Sequence, residues 1–111
     1  MTESTGEDGI GAVFSALADP TRRRLLDFIA TLGEASATRL AERLPVSRQA
    51  VVKHLVALEA AGLVEARKSG REVRYRVLPE RLTASAQWLA ARAEAWDARL
   101  ALLKRAAEEA G

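Results

Sequence analysis

Hydrophobic side chains recur every three or four positions through the first 60 residues, and this spacing predicts a series of short amphipathic helices. Asp19 followed by Pro20 is typical of a helix start, and Pro45 predicts that the third helix ends after two turns. Ser36 and Ser47 are the predicted N-caps of the third and fourth helices, which form a helix-turn-helix. The apolar faces of the four helices are Ile10, Val13, Phe14 and Leu17; Leu25, Phe28, Ile29 and Leu32; Ala37, Leu40, Ala41 and Leu44; and Val51, Leu55 and Leu58.

After Gly62 the period of the hydrophobic pattern falls to two. Val73, Tyr75 and Val77 alternate with charged residues, which predicts a strand with one face on the core and one basic face in water. With the apolar segment before it and a Ser-Gly turn at 69–70, this strand completes a β-hairpin. The predicted fold class is therefore mainly α with a small β-hairpin wing, a winged helix-turn-helix.

The last third of the chain carries apolar residues at alternating spacings of four and three. This heptad repeat predicts a long helix over about residues 80–110 with one continuous seam. The seam is wider than one small domain needs, so we predict a homodimer joined through the terminal helices, the alternative being a helix folded back on its own domain. Trp88 lies off the seam, and we expect it to pack on the chain's own body. The residues assigned to the dimer interface are Ile10, Val13, Phe14, Leu82, Ala86, Leu89, Ala93, Trp96, Leu100 and Leu103.

The 111 residues fit a flexible acidic arm over 1–8 and a single domain over 9–111. The absence of cysteine excludes disulfides, thiol catalysis and thiolate metal sites, and a single histidine excludes multi-histidine sites. We find no catalytic constellation, so we predict no enzyme, no cofactor and no metal. The sequence has neither an apolar run of about 18 residues nor a signal peptide. We therefore expect a cytoplasmic, nucleoid-associated protein with no membrane partner.

The formal net charge of +2 hides an uneven distribution of charge. Residues 1–19 carry −4, residues 20–76 carry +6 with twelve bases and six acids, and residues 77–111 are neutral. The basic excess thus coincides with the helix-turn-helix and the hairpin. Lys and Arg bind DNA phosphates and release counterions, so this distribution predicts double-stranded DNA as the partner.

The fourth helix carries side chains that can read bases near its N-terminus, where recognition helices contact DNA. Arg can bind guanine through two hydrogen bonds, Gln can bind adenine, and Val can contact a thymine methyl group. The predicted base-reading residues are Arg48, Gln49, Val52 and Lys53. The predicted phosphate contacts, from helix starts, the histidine and the wing, are Ser36, Thr38, Ser47, His54, Lys68, Arg71 and Arg74.

Other roles remain open for several of these residues. Hydroxyl side chains at helix starts often only cap the helix, and charged helix faces and hairpin tips often only aid solubility. His54 either faces phosphate or packs and hydrogen-bonds within the motif. The run Arg22-Arg23-Arg24 either pairs with acids such as Asp19 or Asp27, or reaches the DNA backbone from the side.

The stretches FSALADPTRRRLLDFIA and LAERLPVSRQAVVKHLVALEAAGLVEARKSGREVRYRV resemble the arsenic-repressor-type (ArsR-type) family of winged-helix transcriptional regulators. The resemblance covers residues 12–78. It implies a homodimer, usually a repressor, that binds an inverted-repeat operator near its own promoter, with the fifth helix pairing with the first at the dimer interface. It places the family's base-reading positions on Arg48, Gln49, Val52 and Lys53, after the cap Ser47.

Metal-sensing members of that family carry a cysteine pair in the third helix, or acid and histidine ligands along the fifth helix. This sequence has no cysteine, and its fifth helix has no histidine, so it resembles the metal-independent branch. A small-molecule inducer of unknown identity remains open, although Trp88 and Trp96 are more simply explained as core or interface residues. The alternative function is a winged-helix protein–protein interaction or dimerisation module with no specific DNA target.

Overall fold

This computed structural model describes residues 5–110, with their side chains from residue 9 onward. The helices are α1 (Thr5–Leu17), α2 (Pro20–Leu32), α3 (Ala37–Ala41), α4 (Arg48–Ala60) and α5 (Glu80–Ala110). The strands are β1 (Ala35–Ser36), β2 (Val64–Ser69) and β3 (Glu72–Val77). This order confirms the mainly helical fold with a hairpin wing. Helix α1 begins inside the stretch 1–8 that was expected to be a flexible arm, and residues 1–4 lie outside the described residues.

Local side-chain chemistry starts α2, α3 and α4 where the sequence predicts, but α3 ends at Ala41 and not at Pro45 as predicted. Asp19, Ser36 and Ser47 each accept a hydrogen bond from the backbone N–H three residues further on, at 3.0, 3.2 and 3.1 Å. These bonds satisfy N–H groups that have no partner within the helix. Pro20 occupies the first position of α2, and Gly33, with φ of 87°, caps its end.

Helices α2, α3 and α4 anchor one core beneath the wing. The largest fully buried side chains are Val13, Leu25, Ile29, Leu40, Val51, Leu55, Leu58, Leu63 and Val64. Burial of each such side chain contributes on the order of 1.5–3 kcal/mol. Because Val51, Leu55 and Leu58 hold α4 by one face, the opposite face of that helix is held at a fixed place on the surface.

Val13, which the sequence assigned to the dimer interface, packs instead in the core of its own protomer. Its side chain is 1% exposed, so it has no surface left for a partner. On the same helix Ile10 is half-buried and Phe14 is exposed, so both retain surface for one. A helical repeat identifies an apolar face but does not distinguish a core from a neighbouring interface.

The three strands form one antiparallel sheet in the order β1-β3-β2. Ser69 lies opposite Glu72, so the two turn residues of the hairpin are Gly70 and Arg71, one residue later than the Ser-Gly turn that the sequence predicts. Gly70 has φ of 65° and Arg71 does not have a positive φ, the pattern of a type II′ turn, which suits two-residue hairpins. Strand β1 pairs with β3 and is absent from the sequence prediction, because two residues cannot show an alternating pattern.

Helix α5 packs on the domain only through its first turns. Leu82 packs against the core, Ser85 is buried, and Trp88 contacts α1, as predicted for Trp88. Residues 89–110 are all exposed, so the helix folds back on its own domain only at its base. None of the helices described in residues 5–110 is long and apolar enough to cross a membrane.

Candidate nucleic-acid interface

The first two turns of α4 present a polar surface on the side opposite the core. Arg48, Gln49 and Lys53 are exposed there, and Val52 is half-buried. All four predicted base-reading residues therefore lie on one accessible part of the helix. Val56, one turn beyond Val52, is 57% exposed and was missed by the sequence analysis. Its signal was the four-residue spacing from Val52, which continues the same face.

Arg48 is hydrogen-bonded to the neighbouring helix α3. Its Nε donates a hydrogen bond of 3.0 Å to Oγ1 of Thr38 on α3. Together with Val52, these two residues line a groove between the helix-turn-helix and the wing, where Arg71 and Tyr75 form the opposite wall. The structure thus places Thr38 and Arg71 beside the first turns of α4.

Tyr75, on the wing side of this groove, is 9% exposed. Burial raises the pKa of its phenol above the ordinary value, and the nearby Glu59 carboxylate raises it further, while Arg48 opposes the shift. The hydroxyl of Tyr75 therefore stays protonated at neutral pH and is available as a hydrogen-bond donor.

The wing arginines and lysine do not share one face. Lys68 lies opposite Val73, and Arg67 lies opposite Arg74, so alternation places Lys68 and Arg74 on opposite faces of the hairpin. Val73 lines the groove beside α4, which puts Lys68 on the face directed toward α4. Arg71 lies at the turn.

Carboxylates neutralise part of the wing. Nε of Arg74 lies 3.1 Å from Oε1 of Glu72, and Arg76 pairs with Glu65 on the other strand. Exposed pairs of this kind stabilise the hairpin by less than about 1 kcal/mol, but they occupy the guanidinium groups. Val73 is 42% exposed, so the expected core-facing side of the wing holds at Tyr75 and Val77 but not at Val73.

His54 takes part in a contact between α4 and the start of α2. Its Nδ1 accepts a hydrogen bond of 3.3 Å from Nε of Arg22 and lies 3.9 Å from Oδ2 of Asp19. The backbone N–H of Arg22 holds the pKa of Asp19 below its ordinary value, and the proximity of His54 adds to the lowering. This geometry corresponds to the packing alternative for His54, and its phosphate contact stays a prediction.

Two of the three consecutive arginines bind backbone oxygens. Nη1 of Arg22 donates to the carbonyl of Ala16, and Nη1 of Arg23 donates to the carbonyl of Leu17. Both carbonyls belong to the last turn of α1, where helix carbonyls lack partners within the helix. The sequence predicts carboxylates or DNA phosphates as the partners of these arginines. Only the fold brings the end of α1 beside these arginines.

Two of the remaining assigned residues cap helices. Ser36 and Ser47 use their hydroxyls to cap α3 and α4, which is the alternative left open for them, and their phosphate contacts stay predictions.

Within residues 5–110, no group of three or more Asp, Glu or His side chains could hold a metal ion.

Comparison with known proteins places this geometry in a family. Residues 17–67 match the family described as a helix-turn-helix domain. The HTH-type transcriptional regulator YuzN of Bacillus subtilis is 42% identical over 73 residues, which are 60% of this chain and 76% of that protein. A solved ArsR-like transcriptional regulator from Rhodococcus is 47% identical, with a TM-score of 0.80 over 89% of this chain and 92% of the other.

The chain belongs to the ArsR family of transcriptional regulators. It is therefore a DNA-binding regulator with a winged helix-turn-helix fold and not an enzyme, as the sequence predicted. This membership favours the regulator over the alternative of a protein–protein interaction module.

Two further findings bear on assembly and on metals. A homodimeric winged helix-turn-helix DNA-binding domain from Mycobacterium bovis is 26% identical, with a TM-score of 0.65 over 85% of this ArsR-family chain and 90% of the other. The chain also spans 58% and 53% of the length of a probable mercury resistance repressor and an arsenic resistance regulator, little more than half of each. The metals in those names belong to those proteins.

Proposed function

We propose that this ArsR-family chain is a homodimeric repressor that binds an inverted-repeat operator in its own promoter without sensing a metal. The observation that carries the proposal is the exposed N-terminal part of α4, where Arg48, Gln49 and Lys53 project from a helix fixed by its buried face. Recognition helices read bases with residues at this place. A chromosomal target puts the protein with the nucleoid.

The seam along α5 supports dimerisation. Residues 89–110 extend from the domain without covering their apolar side chains. The large seam residues are half or more exposed: Leu89 50%, Trp96 57%, Leu100 56% and Leu103 64%. A heptad seam of this kind is buried by a second helix, and a two-fold axis supplies that helix from an identical chain.

A two-fold axis also sets the form of the DNA site. Two copies of α4 related by this axis bind half-sites about one helical turn apart, roughly 34 Å, and the half-sites form an inverted repeat. On each side the wing follows the DNA backbone. Lys68 and Arg71 are better placed for phosphate contact than Arg74, which faces away from α4 and pairs with Glu72.

Binding of the purified protein to labelled DNA tests this proposal. We expect salt-dependent binding to the DNA upstream of its gene, with selected oligonucleotides converging on an inverted repeat. A scrambled duplex of the same base composition is the control. Equal affinity for the upstream and scrambled duplexes would exclude autoregulation. A selected site without two-fold symmetry would exclude binding as a symmetric dimer.

A further inference from the structure

We propose that Thr38 is a positioning residue that orients Arg48 for recognition of a guanine. The inference rests on the proposed function, because it assumes that α4 reads bases. It starts from the hydrogen bond of 3.0 Å between Nε of Arg48 and Oγ1 of Thr38, which joins the two helices of the motif across ten residues of sequence.

This hydrogen bond determines which guanidinium atoms remain for DNA. An arginine guanidinium has five N–H donors, one on Nε and four on the two Nη atoms. With Nε bound to Thr38, both Nη atoms stay available at the end of the side chain. Guanine offers O6 and N7 as adjacent acceptors in the major groove, which suits a bidentate contact from two Nη atoms.

Both ends of the bond are held by the core. Thr38 lies on α3 between the buried Ala37 and Leu40, and Arg48 begins α4 three residues before the buried Val51. A β-branched threonine also has few side-chain rotamers. Arginine loses much rotamer freedom when it is fixed at an interface, so a bond that fixes it before DNA arrives lowers the cost of base recognition.

Arg48 also keeps its charge available, in contrast to Arg74 and Arg76 of the wing. The ion pairs among the described residues involve Arg74 and Arg76 with glutamates, and His54 with Asp19, but not Arg48. Thr38 therefore orients the guanidinium through a neutral oxygen and leaves its positive charge for the DNA.

The test uses the full-length protein and oligonucleotides selected by the wild type, with each base substituted in turn at every position. The variants are Thr38→Val, which keeps the shape but removes the hydroxyl; Thr38→Ser, which keeps the hydroxyl; Arg48→Ala; and the double variant. Thermal unfolding of each variant checks that the fold is kept.

We expect Thr38→Val to lower the preference for guanine at one position of each half-site by about two- to tenfold. Thr38→Ser should restore that preference. In the Arg48→Ala background, Thr38→Val should cause no further loss, because the two residues act as one unit. The slope of affinity against salt should stay as in the wild type, because no phosphate contact is lost.

Three results would overturn the inference. The first is a Thr38→Val variant that retains the full wild-type guanine preference. The second is a Thr38→Val variant that binds all sequences equally more weakly with a smaller salt slope, which would assign Thr38 to a phosphate contact. Wild-type protein without any base preference contradicts the proposed function itself and the inference with it, and this result is obtained before any variant is measured.

Discussion

The ring of Trp88 on α5 meets the ring of Phe14 on α1 edge to face, with centroids 5.9 Å apart and an angle of 66° between the planes. The guanidinium of Arg92 lies over the Trp88 ring, 4.0 Å from its centroid. These three side chains fix the base of α5 against the domain. They thereby set the direction in which the exposed seam leaves it.

Replacing Phe14 with Ala should destabilise this junction. The aromatic pair contributes about 0.5–1.5 kcal/mol beyond the area that it buries, and the apolar contact is lost as well. We expect a lower midpoint in chemical unfolding, measured at one fixed protein concentration because dimer stability depends on concentration. Phe14→Leu keeps most of the apolar volume, so its unfolding midpoint should lie between those of the wild type and Phe14→Ala. A midpoint unchanged by Phe14→Ala would contradict the role of this pair.

Replacing Leu100 with Asp should dissociate the dimer. A charged side chain in a heptad seam is buried without a partner, and this is unfavourable. Sedimentation at micromolar concentration should show a monomer. The matched control is Leu102→Asp, because Leu102 is 58% exposed on the same helix but lies off the seam. Dissociation by both variants, or by neither, would show that the seam is not the interface.

Replacing Lys68 with Ala should weaken binding to all DNA sequences alike and reduce the salt slope by about one unit. The physical reason is the loss of one phosphate contact on the face of the wing nearest α4. Lys104→Ala removes the same charge from α5 and should leave the slope unchanged. A wild-type slope for Lys68→Ala would exclude this lysine from the DNA contacts.

Replacing Gly62 with Ala should destabilise the domain. Gly62 has φ of 77°, and an added Cβ would lie 2.8 Å from the side chain of Arg81, whose Nη1 donates a hydrogen bond to the carbonyl of Ala61. The left-handed conformation alone costs an alanine on the order of 1–2 kcal/mol. Gly11→Ala is the control, since Gly11 lies in α1 with open space around it. It should stabilise the domain by about 0.5–1 kcal/mol, and equal effects at both sites would contradict this explanation.

Features that depend on neighbouring residues along the chain could be predicted from the sequence. The caps at Asp19 and Ser47 need only a side chain and an N–H three residues later, and the helical and heptad repeats identify the buried face of α4 and the seam of α5. The same local reasoning placed Arg48, Gln49, Val52 and Lys53 on one side of α4, where three of them are exposed and Val52 is half-buried.

Features that depend on distant parts of the chain could not be predicted in this way. Strand β1 exists only because β3 passes beside it, and Val13 faces its own core only because of how α1 lies on α2. The bond between Arg48 and Thr38 likewise requires the packing of α4 on α3. The opposite orientation of Lys68 and Arg74 follows from the register of the hairpin, which depends on which two residues form the turn.

Selection of DNA from a random pool by the wild-type protein tests whether the chain reads a DNA sequence as a dimer. We expect an inverted repeat with half-sites about one helical turn apart, bound at least about a thousandfold more tightly than scrambled DNA. Gln49→Ala should relax the base preference at a single position of each half-site, whereas Gln87→Ala on α5 should not. Selection that yields no common sequence, with affinities that depend on salt alone, would contradict sequence-specific DNA binding by this chain.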